Sequence, residues 1–185
     1  MNQRLKFSIL LIFLLLFSGV DAKVYENAER KKDKKWHTLY ADSTATIDKV
    51  YDFNKKSRVV KFKGSGSKDT YILGAKKGVK AWRSSDKIIR WSMNYSEDFV
   101  ILLSIYTDYG YRYLIYTSGS DDGNLYYGLG VNSINGTWQT FTRNIEEDLH
   151  KFEKENQLLF VNAFLIRGSG RVDDIEMFSS LKSTR

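Results

Sequence analysis

The sequence predicts an all-β fold, an antiparallel β-sandwich of jelly-roll type with one short α-helix near residues 145-154. Three observations predict it. Behind the first 22 residues, apolar residues recur with period two in short runs broken by Gly, Asn, Asp and Ser, the pattern of strands and turns. Aromatic residues make up 15% of the chain, with 12 Tyr and 11 Phe, and such rings suit half-buried pleated surfaces. A single segment departs from this and takes helical spacing.

The chain opens with Arg4 and Lys6, an unbroken apolar run from Phe7 to Phe17, and Ser18-Gly19-Val20-Asp21-Ala22. A basic start, an apolar stretch of this length and small residues before a polar segment read as a secretory signal peptide cleaved after Ala22. The run is too short to span a bilayer, which takes about 20 apolar residues. No cysteine follows it, which excludes a lipid-anchored lipoprotein. The mature chain, 23-185, then has the length of one domain with its own core. The chain has no cysteine at all, so an exported domain must be held by packing or by a bound ion. The composition points to a secreted or periplasmic bacterial protein.

Strands are expected at Trp36 to Tyr40, Ala45 to Asp52, Arg58 to Lys63, Thr70 to Leu73, Ile88 to Tyr95 and Phe99 to Thr107. Further strands are expected at Tyr111 to Ser118, Leu125 to Val131, Thr137 to Thr142, Gln157 to Ile166 and Arg171 to Phe178. Residues 64 to 69, 108 to 110 and 119 to 124 carry turn chemistry. Asn144 is a good helix N-cap with Glu147 three residues on, and Ile145, Leu149 and Phe152 share one helical face. Residues 145 to 154 should therefore form a helix, with Glu146, Glu147 and Asp148 at its positive end.

Loss of Arg4, Lys6 and Asp21 with the leader takes the formal charge from +7 to +6. The excess sits in Arg30, Lys31, Lys32, Lys34 and Lys35, and again in Lys76, Lys77 and Lys80. Such a surface attracts nucleic acid, anionic lipid or acidic polysaccharide alike, or simply keeps a face solvated. Export removes nucleic acid from the natural partners.

No catalytic apparatus stands out. His37 and His150 match no metal motif. Gly64-Ser65-Gly66 and Gly168-Ser169-Gly170 lack the Lys-Ser/Thr pair of a phosphate cradle and read as turns. The carboxylate pairs Glu97-Asp98, Asp121-Asp122 and Glu146-Glu147 are adjacent in sequence, and neighbours on a strand face opposite ways.

The two ends of the mature chain are the most informative segments: Val24-Tyr25-Glu26-Asn27, and Ile166-Arg167-Gly168-Ser169-Gly170-Arg171-Val172-Asp173-Asp174-Ile175. This pairing resembles non-catalytic carbohydrate-binding modules of the jelly-roll, galactose-binding-like type, in which an early Phe/Tyr-Glu and a late Asp-Asp-Val/Ile lie on neighbouring strands. The resemblance implies a structural calcium ion held by carboxylates and backbone carbonyls, with Glu26 and Asp174 at the carboxylate positions and Asp173 as substitute. Calcium takes six to eight oxygen ligands.

A sugar site needs aromatic rings to stack on pyranose faces and polar side chains to bond hydroxyls. Trp82, Trp91, Trp138, Tyr95, Tyr106, Tyr109, Tyr111, Tyr113, Tyr126 and Tyr127 all qualify by type. Trp82 and Tyr109 are the expected ligand-binding rings because loop residues escape the demands of packing. Asn94, Arg112, Asn162 and Arg167 are the expected polar partners; Asn162 interrupts an apolar strand and also reads as a core amide at a bulge. The expected function is a non-catalytic carbohydrate-binding domain, its ligand an acidic glycan in view of the charge. The alternatives are a cell-envelope protein-interaction or adhesion domain, and a polysaccharide hydrolase or lyase.

Overall fold

Alternation of apolar and polar side chains is realised in twelve strands, shown in a computed structural model that describes residues 22–30, 35–41, 44–64, 68–74 and 82–180. Apart from Ala22, the expected leader lies outside the described residues, as do Lys31, Lys32, Lys34, Lys76, Lys77 and Lys80. Among the described residues, no helix is long and apolar enough to cross a membrane.

In chain order the strands are β1 (Lys23–Glu26), β2 (Trp36–Tyr40), β3 (Thr46–Asp52), β4 (Ser57–Lys63), β5 (Thr70–Gly74) and β6 (Ile88–Asn94). They continue as β7 (Val100–Thr107), β8 (Gly110–Thr117), β9 (Tyr126–Gly128), β10 (Gln139–Asn144), β11 (Leu158–Arg167) and β12 (Gly170–Phe178). One six-stranded sheet, sheet A, runs β10-β6-β12-β4-β3 with β1 beside β12, and the other, sheet B, runs β2-β5-β11-β7-β8-β9. The two pack face to face as a sandwich. All pairs are antiparallel except β8 with β9.

Aromatic rings from both sheets meet in the core. Trp91 of sheet A contacts Tyr116 and Phe164 of sheet B with ring centroids 5.7 and 5.8 Å apart. Phe62 of sheet A packs between Trp36 and Tyr71 of sheet B at 4.8 and 4.5 Å. These rings are buried, and edge-to-face and offset contacts add to the hydrophobic gain of each.

The helix α1 (Ile145–Phe152) forms where the cap signal placed it: the Asn144 side chain accepts the backbone N–H of Glu147 at 3.3 Å. Ile145 and Leu149 are buried. The helix ends at Phe152, two residues short of the expected end, and Phe152 lies partly exposed beside Tyr127 rather than buried in the core. Buried Asp148 ties the helix to the sheets, accepting from the Tyr116 hydroxyl at 2.8 Å and from Arg143 Nε at 2.8 Å. Burial, then the Asp148 charge, holds the Tyr116 hydroxyl well above its ordinary pKa, so it stays a donor.

Among the strands, three differences from expectation go beyond a one-residue shift of a boundary. β1 carries too short an apolar signal to be read alone, although the resemblance put it on a strand neighbouring the last one, and it does pair with β12. The strand expected over 125 to 131 shrinks to Tyr126–Gly128 because Asn124, Leu125 and Gly130 all have left-handed φ, and residues Val131–Ile134 form a 3-10 turn. β10 starts two residues later than read and runs to Asn144. The Gly168-Ser169-Gly170 segment is a turn as read: Gly168 has φ 93°, and a Cβ at Gly170 would lie 2.4 Å from the Tyr95 ring.

Candidate functional site

Two bulges in β11 decide what the outer face of sheet B presents. Pairing with β7 is irregular between Leu158 and Phe160 and again between Val161 and Ala163. Each inserts an extra residue and flips the alternation downstream. Phe164 and Ile166 therefore point into the core, while Phe160, of the same sequence parity, faces outward. There Phe160 opposes Tyr106, which opposes Tyr111.

The rings form a ridge. Phe160 and Tyr106 stack at 5.1 Å, and Tyr106 meets Tyr111 edge-on at 4.8 Å. Side chains stand roughly perpendicular to a sheet, so the ridge projects from it. Tyr111 is 68% exposed and Tyr113, two residues along the same strand, 48%. Tyr113 opposes Ser104, and Ser104 opposes Ala163, so the floor beside the ridge is low. Beyond it Ile72, Ala163 and Leu165 are buried together on the same face with Leu102 half-buried against them, so the accessible part of the face is the ridge itself. At the Phe160 end the Arg83 guanidinium carbon lies 4.8 Å from the ring centroid.

The β7–β8 turn that carries the ridge is held by charge. Arg112 Nε donates to both Glu153 carboxylate oxygens at 2.9 and 3.1 Å, and Nη1 donates to the carbonyls of Tyr109 and Tyr111 at 3.0 Å each. The Tyr109 N–H is taken by Asn156 Oδ1 at 3.2 Å. Arg112 thus positions Tyr111 and is itself engaged.

The six residues expected to bind ligand do not gather at one place. Tyr109 and Arg112 share the β7–β8 turn beside the ridge. Trp82 stacks on Tyr25 at 3.9 Å against the edge of the core. Asn162 is the inserted residue of the second bulge: its carbonyl accepts the Trp82 N–H at 3.0 Å, and its buried Nδ2 has no partner. Arg167 lies on the outer face of sheet B and donates to Thr70 Oγ1 at 3.1 Å. Asn94 opposes Arg171 on the other sheet. Sequence reasoning counted Tyr106, Tyr111 and Tyr113 as suitable by type without selecting them, and it missed Phe160 and Arg83.

On the outer face of sheet A, β12 has its own irregularity between Asp173 and Glu176. Asp174 adopts φ 49° there, which costs a non-glycine residue about 1 kcal/mol. Asp173 is 1% exposed; its Oδ2 accepts the Ser57 hydroxyl at 3.0 Å and its Oδ1 has no partner. Burial, followed by the neighbouring Asp174 charge, pushes the Asp173 carboxyl up to about 7.

The expected calcium ligands can be tested against this geometry. Glu26 is buried, and its Oε1 accepts the Ala28 N–H at 2.7 Å and the Lys49 ammonium at 3.2 Å, while Oε2 has no partner. Lys49 Nζ also donates to the Arg30 carbonyl at 3.1 Å. Asp174 pairs with Lys55 at 2.8 Å. Two ammonium groups thus already sit at the carboxylates meant for the ion. Among the described residues no group of three or more His, Cys, Asp or Glu is placed to hold a metal. The residues as arranged do not fit calcium. Chelation is accordingly expected to leave the melting temperature unchanged; a fall of several degrees on adding EDTA, restored by calcium, would show an ion held there.

The fold, a sandwich of two β-sheets, is similar to that of carbohydrate-binding modules of known structure. It superposes on the family 11 carbohydrate-binding module of a cellulosomal cellulase of Clostridium thermocellum with a TM-score of 0.52 at 12% identity, covering 91% of this chain and 100% of that one. The family 11 module of the same organism in complex with a β-1,3-1,4-mixed-linked tetrasaccharide gives 0.50 at 10% identity, over 89% and 99%. An exo-β-agarase gives 0.52 at 10% identity, over 90% of this chain and 26% of that one. No protein-family model matches the chain, and no curated protein matches it in sequence.

Proposed function

We propose that the chain is an exported, non-catalytic carbohydrate-binding domain whose ligand lies along the ridge on the outer face of sheet B. The observation that carries the reading is the set of exposed rings, Tyr111 and Tyr113, standing on Tyr106 and Phe160 above a low floor. Two exposed rings resting on two half-buried ones make a contiguous aromatic patch on the sheet's solvent side, and patches of that kind mark binding sites. A pyranose offers an apolar C–H face for such rings, and its hydroxyls find the tyrosine and Ser104 hydroxyls at the edges. No strand position on the ridge carries a carboxylate, so a glycosidase pair has no place across it. The likeness in fold to a module complexed with a tetrasaccharide supports the reading.

Native gels cast with single polysaccharides test it: xylan, mannan, mixed-linkage glucan, agarose, pectate and alginate. At least one should retard the protein. Mobility unchanged in all six would overturn the proposal.

A second reading, docking to a partner in the cell envelope, has one observation in its favour. Phe53 is 85% exposed at the β3–β4 turn and packs edge-on against Tyr51 at 5.1 Å.

A further inference from the structure

We infer that the ridge takes an anionic glycan, with Arg83 as the group that reads a carboxylate or sulfate on the sugar bound over Phe160. The inference rests on the proposed carbohydrate site and names its ligand class.

Arg83 has an unusual setting. Its φ of 48° is left-handed, a conformation that costs a non-glycine residue and persists only where surroundings enforce it. Here they do. The Trp82 N–H donates to the Asn162 carbonyl at 3.0 Å, and Ser84 exchanges backbone bonds of 3.1 and 2.8 Å with Val161. Both neighbours of Arg83 are thereby pinned to β11 at its second bulge, and Arg83 is forced outward over Phe160.

Arg83 is exposed, and among the described residues its guanidinium makes no ion pair or hydrogen bond and lies over the face of Phe160. Arg112, by contrast, is spent on Glu153. A guanidinium held over a ring face by its central carbon still has N–H donors to offer an oxyanion, and Arg presents them as a fork that matches carboxylate or sulfate geometry. The strand positions around the ridge, Ser104, Tyr113, Leu102 and Ala163, hold no carboxylate to compete for it. The nearest acid along β7 is Asp108, in the turn beyond Tyr106. Arg167, on the same outer face, likewise has a hydroxyl as its polar partner rather than a carboxylate. A glycan with acidic groups would meet positive charge at one end of the ridge and along its face.

Calorimetric titration decides this, with tetragalacturonate, its carboxyl-reduced counterpart and a sulfated galactan tetrasaccharide as probes. Either acidic probe should bind about 10- to 100-fold more tightly than the reduced one at low salt, and the better of the two separates carboxylate from sulfate. Arg83→Gln should bring that ratio close to one, and Arg83→Lys should leave it intermediate. Melting temperatures of both variants within a few degrees of the parent will confirm that they fold. Equal affinity for acidic and reduced probes, or an Arg83→Gln ratio equal to the parent's, would overturn the inference while leaving the carbohydrate site intact. Binding of none of the three would overturn it together with the site it rests on.

Discussion

Replacing Tyr111 and Tyr113 together with alanine is expected to weaken glycan binding by about 30- to 1000-fold. Each ring stacked on a sugar face contributes roughly 1–2 kcal/mol from buried apolar area and ring electrostatics, and two such losses multiply in the binding constant. Both side chains lie on the solvent side of sheet B, with exposures of 68% and 48%, so the double variant should melt within a few degrees of the parent. Trp138 makes the control. It is half-buried near sheet A with the Lys55 ammonium 5.3 Å from its ring, and Trp138→Ala should leave affinity for the same glycan unchanged. Calorimetry on the three proteins checks this; equal affinity in the parent and the double variant would remove the ridge from the binding site.

Replacing Asp173 with asparagine should stabilise the protein at pH 8 and change little at pH 4. The folded-state value, pushed up to about 7, lies above the ordinary carboxylate value that the unfolded chain has. The folded state therefore holds a proton that the unfolded chain has given up between about pH 4 and 7. The stability this protonation supplies is present in full below about pH 4 and is lost as pH rises to about 7. The full span is roughly 4 kcal/mol, taking about 1.4 kcal/mol for each pH unit of that window. Asparagine cannot ionise, so the variant escapes the loss. Its melting temperature should exceed the parent's by about 10 °C at pH 8, and the gap should close on acidification. A gap of the same size at both pH values would mean that Asp173 is not a buried acid.

The same two bulges explain what was and was not legible in the sequence. Period-two alternation, turn residues and the Asn144 cap depend on local chemistry alone, so the strands, the sandwich and the helix could be read directly. Assigning a residue to a face requires the alternation to be unbroken. Along β6 it is, and Trp91 and Met93 lie in the core with Ser92 on the other side. Along β11 it is not. Strict alternation sends Phe160 into the core with Phe164 and Ile166, and only the inserted Asn162 turns it outward to meet Tyr106. Asn162 was noticeable as a polar break in an apolar strand, which was the one signal available, but nothing local says which way the chain turns after it.

Arg83 and the calcium ligands fail to be legible for a related reason. Arg83 sits in a short connecting segment whose place is set by backbone bonds to a strand almost 80 positions away in sequence. The motif at the chain ends is local and reads easily, yet whether Glu26 and Asp174 face an ion or an ammonium depends on Lys49 and Lys55, which reach them from the β3–β4 hairpin. Loop aromatics were preferred for the site because they escape packing; Tyr109 is exposed in its turn, but the exposed rings that stand together, Tyr111 and Tyr113, lie on strand β8, on the outer face of sheet B.

The central claim is that glycan lies along the outer face of sheet B, and NMR of the isotope-labelled protein titrated with tetragalacturonate and then with its carboxyl-reduced counterpart tests it most directly. The expected result is amide shifts confined to residues 82 to 84, 104 to 113 and 158 to 163, while Ser92, Thr140 and Asp173 on the opposite sheet stay in place. Shifts centred on those three sheet A residues, or no shift with either sugar, would contradict it.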